Sequence, residues 1–138
     1  MKVEDVMSKR VITISPDDNM LHAAQLMRDA NVGCLIVVGS GVQGIVTDRD
    51  LTVSCTAKGH NPEQCRVGNH MSQPVITIRP DVDMLDAAHT IIVNKTKRLP
   101  VVEGDQLKGL ISMSDIAQAM DRPMHDLLLG MGAARRAS

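Results

Sequence analysis

The chain has 138 residues, a formal net charge of −1, 43% hydrophobic and 22% charged residues, and no Phe, Tyr or Trp. Without aromatic rings it has nothing on which bases could stack, and its scattered Lys and Arg form no basic stripe for a phosphate backbone, so no nucleic acid partner is expected. No apolar run approaches the roughly 20 residues that cross a bilayer, and Met1 to Arg10 alternates charges instead of carrying a signal-peptide core, so the reading is a cytoplasmic protein with no membrane contact.

The interior must be filled by Val, Ile, Leu, Ala and ten Met, whose flexible thioethers suit irregular gaps. The length fits one compact unit or two very small ones, and a single shared core is the expectation. Cys34, Cys55 and Cys65 cannot all pair within one chain, which fits a reducing compartment.

In chain order, Val11-Ile12-Thr13-Ile14 is short, apolar and β-branched, as a strand requires. Pro16 fits the first position of a helix, with Ser15 or Asp17 as its cap, and Met20, Leu21, Ala24 and Met27 fall on one face of that helix. Leu35 to Val38 predicts a second strand, Gly39-Ser40-Gly41 a turn, and Gly44 to Val46 a third strand. That strand feeds directly into a second helix through Gly44-Ile45-Val46-Thr47-Asp48-Arg49-Asp50. The first turn of such a helix has N–H groups without intrahelical partners and suits an anion. Lys58 to Gln64 has the turn chemistry of a linker.

The same pattern then returns at a constant offset of 64 residues. Met7-Ser8 recurs as Met71-Ser72, Val11-Ile12-Thr13-Ile14 as Val75-Ile76-Thr77-Ile78, and Pro16-Asp17 as Pro80-Asp81, where Asp81 is the candidate cap. Met84, Leu85, Ala88 and Ile91 form the second helical stripe. Leu99 to Val102 and Gly109 to Ile111 are the matching strands around the turn Glu103-Gly104-Asp105. After one inserted residue, Gly109-Leu110-Ile111-Ser112-Met113-Ser114-Asp115 repeats the strand-to-helix stretch. The fold class is therefore α/β (α+β): two tandem β-α-β-β-α repeats packed around a pseudo-two-fold axis. The first repeat with its linker spans 1–64, the second 65–122, and 123–138 holds a short helix through Leu127-Leu128-Leu129 and a disordered tail.

This doubled pattern resembles the CBS domain pair, or Bateman module, over roughly Val3 to Met120. The resemblance rests on Gly44 to Asp50, on Arg98-Leu99-Pro100-Val101-Val102 and on the paired Val-Ile-Thr-Ile segments. It implies a non-catalytic, ligand-sensing module that binds an adenosine compound in clefts between the repeats: AMP, ADP, ATP, NAD or S-adenosylmethionine. It also implies a homodimer. By motif position, Asp50 and Asp115 would hold ribose hydroxyls and Thr47 and Ser112 would face phosphate. Thr13, Ile14 and Thr77 would line the base pocket, and Arg49, Arg98, Leu99 and Pro100 complete the candidate set. The first copy has Gly33-Cys34-Leu35-Ile36 where the second has Lys97-Arg98-Leu99-Pro100, so the cleft receiving Arg98 is expected to prefer charged nucleotides.

Blander readings compete. Thr47-x-x-Asp50 and Ser112-x-x-Asp115 also fit a capping box, in which the side chains serve only their own helix. Cys55, His60, Cys65 and His70 stand at five-residue intervals, but zinc sites usually show tighter pairs, and Cys65 and His70 fall past the linker. No metal is expected there. His22, His89 and His125 have no acidic or nucleophilic partner at motif spacing, and no phosphate loop, nucleophile elbow or His-Glu-x-x-His pair occurs, so no enzyme is expected. The alternatives are a dimeric partner-binding scaffold with vestigial clefts and, less favoured, a zinc- or redox-responsive variant.

Overall fold

The structure, a computed structural model, describes residues 1–121; the predicted helix at Leu127 to Leu129 and the tail lie outside the described residues. The first repeat contains β1 (Thr13–Ile14), α2 (Met20–Ala30), β2 (Cys34–Gly39), β3 (Gly41–Thr47) and a π-helix (Asp50–Cys55). The second contains α3 (Met84–Val93), β4 (Arg98–Glu103), β5 (Gln106–Ser112) and α4 (residues 113–121), and a short α1 (Val3–Val6) precedes both. No helix among the described residues is long and apolar enough to cross a membrane.

Each repeat is built on an antiparallel hairpin with one register shift at the same place. β2 pairs with β3 from Cys34 opposite Thr47 to Gly39 opposite Gly41, shifting between Val37 and Val38. β4 pairs with β5 from Arg98 opposite Ser112 to Glu103 opposite Gln106, shifting between Val101 and Val102. The leading strands are shorter than their composition predicts. In the first repeat only Thr13 and Ile14 pair, parallel to β2, and in the second only Ile78 bridges to Val101. Further upstream, Ser8 and Ser72 pair with the other repeat, and Pro74 has no N–H for a ladder.

The helix starts also differ from expectation. Ser15 to Asp18 forms a turn, closed by Asp18 N–H donating to the Ser15 carbonyl at 3.2 Å, and α2 begins only at Met20. Its cap is Asn19, whose side-chain oxygen accepts from His22 N–H at 2.8 Å. In α3 the cap is Asp83, accepting from Leu85 N–H at 2.8 Å, while Asp81 pairs with Arg79. Asn19 and Asp83 stand 64 residues apart, so the cap is part of the repeat although its residue type changed. Of the expected stripes, Met20, Met27 and Ile91 are buried and Met84 and Ala88 pack against the second core, with Ala23 and Ala87 buried beside them, whereas Leu21 is 37% and Leu85 54% exposed.

There are two cores, not one. Ile14, Met20, Leu35, Val37 and Val46 gather in the first; Ala87, Ile91, Leu99, Val101, Ile111 and Ile116 gather in the second. Each sheet is covered by its own helices, and the repeats are joined by exchange. Val3, Val6 and Met7 pack into the second core, and Cys65, Val67 and Met71 pack into the first.

The exchange is sealed at the glycines that open the repeated stretch. Ser72 and Ile45 bond through both backbone groups at 2.8 and 3.4 Å, and Ser8 and Leu110 do the same at 2.9 Å in both directions. A Cβ on Gly44 would stand 2.8 Å from the Ser72 carbonyl oxygen and 2.7 Å from Met71 Sδ. On Gly109 it would stand 2.6 Å from the Ser8 oxygen and 2.7 Å from Met7 Sδ. Only glycine lets the crossing segment approach so closely.

Two outcomes follow for stability. Gly44→Ala forces that crossing apart and should cost about 1–3 kcal/mol in urea unfolding, as overpacking does, with Gly109→Ala behaving alike. Asn19→Ala removes the α2 cap and should cost about 1 kcal/mol by the same measurement, whereas Ser15→Ala should be nearly neutral.

Candidate functional site

The hairpin β2–β3 delivers Thr47 to the end of its strand at the entrance of the π-helix. There Asp50 Oδ2 accepts from Thr47 N–H at 2.9 Å, and Thr47 Oγ1 accepts from Asp50 N–H at 3.2 Å, a reciprocal capping box. The second repeat builds the same box: Asp115 Oδ2 accepts from Ser112 N–H at 2.9 Å and from Ser112 Oγ at 3.0 Å, and Ser112 Oγ accepts from Asp115 N–H at 3.2 Å. In both copies the box uses Oδ2. Among the described residues, Oδ1 of Asp50 and of Asp115 accepts no hydrogen bond.

The helix that follows Asp50 is distorted. Thr52 Oγ1 donates to the Asp48 carbonyl at 3.1 Å, and Thr56 N–H donates to both Leu51 and Thr52, so the turn widens to π geometry. A six-residue π-helix has little dipole to offer an anion, so any phosphate here depends on side-chain cations.

Those cations come from the other repeat. A cleft of about 460 Å³ is lined by Thr47, Asp48, Arg49 and Asp50 from the first repeat and by Lys95, Thr96, Lys97 and Arg98 from the second, with Gly33, Ile45 and Ser72 between them. α3 ends at Val93, Lys95 takes a left-handed conformation at φ 53°, and the chain turns directly into β4 at Arg98. The basic run is thereby aimed across the gap. A recess of about 240 Å³ shares Ile45, Ser72, Lys95, Thr96 and Arg98 with the cleft and adds Pro74, Val75 and Ile76 as an apolar wall. The larger volume lies within the range of about 300–1,000 Å³ common to small-molecule sites.

Of the residues singled out from sequence, Thr47, Arg49, Asp50 and Arg98 meet in this cleft. Ser112 and Asp115 form the equivalent box on the second repeat, away from it. Ile14, Leu99 and Pro100 are buried, with Ile14 and Leu99 in the two cores, and Thr13 and Thr77 line neither the cleft nor the recess. Sequence reasoning missed Val75 and Ile76, which stand just before Thr77, and Lys95 and Thr96. The signal for Lys95 was its place 64 residues after Asn31, the other non-glycine residue at φ 53°. Periodicity alone did not show that Asp50 of one repeat faces Arg98 of the other.

The expectation of no metal at Cys55, His60, Cys65 and His70 rested on their separation along the chain. The fold removes that ground, because ligand atoms of His60, Cys65 and His70 lie within 4.8 Å of one another. Gly59 at φ 74° and tight turns at Pro62–Gln64 and Val67–Asn69 fold the linker back onto the first repeat.

Comparison with known proteins agrees with the doubled architecture. The family model for the CBS domain matches twice, over residues 3–54 and 67–122. The CBS domain-containing protein YhcV of Bacillus subtilis is 35% identical over 116 residues, covering 83% of this chain and 82% of YhcV. Among solved structures, the hexameric CBS-CP12 protein from bloom-forming cyanobacteria is 30% identical with a TM-score of 0.78, over 85% of this chain and 66% of that one. The CBS domain pair of protein MJ0100, in complex with 5-methylthioadenosine and S-adenosyl-L-methionine, superposes with a TM-score of 0.76 at 23% identity, over 89% of this chain and 98% of that one. Two matched copies, joined by reciprocal crossings and each ending in the same capped strand-to-helix turn, make the chain a member of the CBS domain family, with the domain present as a tandem pair.

Proposed function

We propose that this chain is a non-catalytic regulatory module that binds an adenine nucleotide, AMP, ADP or ATP, in the cleft between its repeats. The observation that carries the reading is that Asp50 of the first repeat and Arg98 of the second line one cleft, with an apolar recess beside them. A carboxylate oxygen left over from the capping box can accept from a ribose hydroxyl. Arg98 offers a planar fork to phosphate, with Lys95 and Lys97 adding point charges. Val75, Ile76 and Ile45 supply aliphatic surface for a purine face. A fold neighbour in complex with two adenosine compounds supports the ligand class.

The lining residues include neither Cys nor His, and the Asp50 carboxylate is tied to its own helix, so the ligand is held and not cleaved. A redox-sensing role is disfavoured: burial, with the hydrogen bond to and charge of Cys65, pushes the Cys55 thiol up to about 11, which leaves little reactive thiolate. The outer face of α3, with Ile92 65% and Val93 60% exposed beside Leu85, supports pairing of two copies. The nucleotide signal would then be read by a partner protein through a change in how the repeats or copies pack.

The competing reading is a scaffold in which Thr47 and Asp50 only cap their helix, which the completed capping boxes favour. One set of melts separates the two. AMP, ADP, ATP, NAD and S-adenosylmethionine are each added to the protein, since a ligand at 100 times its Kd adds about 2.7 kcal/mol. Asp50→Asn keeps an acceptor for the cap and should melt normally, yet bind about ten- to a hundredfold more weakly. Arg98→Gln should reduce the response to ADP and ATP more than the response to S-adenosylmethionine. A melt unmoved by every adenosine compound would leave only the scaffold, and a shift undiminished in Asp50→Asn would place the ligand outside this cleft.

A further inference from the structure

Cys55 ends the π-helix with its side chain fully buried, and the next fifteen residues wrap around it. His60 N–H donates to the Cys55 carbonyl at 3.1 Å, which holds the start of the linker against the helix end. Asn61 caps the turn Pro62–Gln64, and Cys65 is then locked in place by its carbonyl, which accepts from Met20 N–H at 2.8 Å. Val67 N–H donates to the Asp18 carbonyl at 2.8 Å, and the turn it opens carries His70 back toward the same point. A strict five-residue spacing that looked too loose for a metal becomes convergent because each interval contains one tight turn.

Four soft or borderline donors result. His60 is exposed, His70 half-buried and Cys65 buried, and the ligand atoms of these three lie within 4.8 Å of one another. Cys55 Sγ stands 2.9 Å from Cys65 Sγ, so a fourth donor is at hand. The two imidazoles meet edge-on, with ring centroids 6.5 Å apart and planes inclined at 76°. Ser54 Oγ lies 2.7 Å from His70 Nδ1, which orients that ring and leaves Nε2 for a ligand bond. A metal-bound histidine nearly always has such a partner on its other nitrogen. Nothing in the nucleotide cleft requires this arrangement.

We propose that His60, Cys65 and His70, completed by Cys55, form a binding site for one divalent transition-metal ion, zinc by the character of its donors. Mixed imidazole and thiolate ligands in a closed tetrahedral set are the pattern of structural zinc. Bonds of about 2.0–2.3 Å at tetrahedral angles place ligand atoms about 3.3–3.8 Å apart, so His60, Cys65 and His70 need to close by about 1 Å, while Cys55, outside that group of three, reaches it only through Cys65. His60, on the surface, is free to turn inward, and the two sulfurs separate slightly to take their corners. As the ion binds, both thiol protons pass to solvent and the metal's charge takes their place. The ion would pin the end of the π-helix to the linker and so hold Cys65 and Val67 in the first core.

The test uses the full chain, reduced and freed of metal, titrated with Co²⁺ and then with Zn²⁺. The expected result is one equivalent of cobalt with sulfur-to-metal charge-transfer absorption and the intense visible bands of a tetrahedral site, all displaced by zinc. His60→Gln alters a surface residue, so it should leave the metal-free melt unchanged while weakening cobalt binding at least tenfold. Cys65→Ser should abolish the charge-transfer band, and Ser54→Ala should weaken binding about ten- to a hundredfold. Absence of a tetrahedral, sulfur-ligated spectrum at one equivalent overturns the proposal, as does a spectrum untouched by both His60→Gln and Cys65→Ser. Adenine nucleotide binding is measured in parallel on the metal-free chain, so failure of one site is read independently of the other.

Discussion

The structure depends on two backbone crossings, Ser72 over Gly44–Ile45 and Ser8 over Gly109–Leu110. At each, a segment leaves the repeat to which it belongs by sequence and closes the edge of the other repeat's hairpin. The pairing gives partners to N–H and C=O groups on the edge of each hairpin, among them those of the buried Ile45, where an unpaired backbone group is costly. It also requires a glycine at the point of approach, which explains why each copy of the repeated stretch opens on Gly. The candidate cleft follows from the same constraint. Because Ser72 is held on Ile45, the residues after it, Gln73 to Ile76, line the recess beside the cleft together with Lys95 and Arg98.

Local signals and long-range ones were not equally legible in the sequence. The strand pairs, their 64-residue repeat and the capped turns at Thr47 and Ser112 could be read because each depends on pattern and on residues a few positions apart, where hydrophobic period and cap chemistry decide the outcome. The helix starts were misread because Pro16 and Pro80 suit a helix entrance and a tight turn equally well, and Asn19 and Asp83 won as caps. Which Asp faces which Arg could not be read at all, since an internal repeat makes both pairings equivalent in pattern. The metal cluster was dismissed for a related reason: ligand spacing counts residues, whereas the turns at Gly59, Pro62 and Val67 decide where those residues go.

The two halves share a scheme but not a chemistry. Asn31 and Lys95 occupy equivalent left-handed positions at helix ends, and Gly33-Cys34 and Lys97-Arg98 follow them. One junction is therefore neutral and the other carries three cations in four residues. Equivalent backbone geometry thus presents unequal charge at the two junctions. The cationic junction faces the repeat that also carries the cysteine and histidine cluster, and Asp50 and Cys55 are the first and last residues of one π-helix. The first repeat's second helix is thus the element on which both proposed sites converge.

The crossings also set the order in which the chain can be completed. Ser8 meets Leu110 about a hundred residues away, and contacts that distant close late because the intervening loop entropy must be overcome first. The first core needs residues only as far as Ser72, whereas the place of Val3 and Val6 in the second core depends on β5. The second core is thus completed by a segment that precedes the first repeat, so the two halves are bound by contacts of long sequence separation.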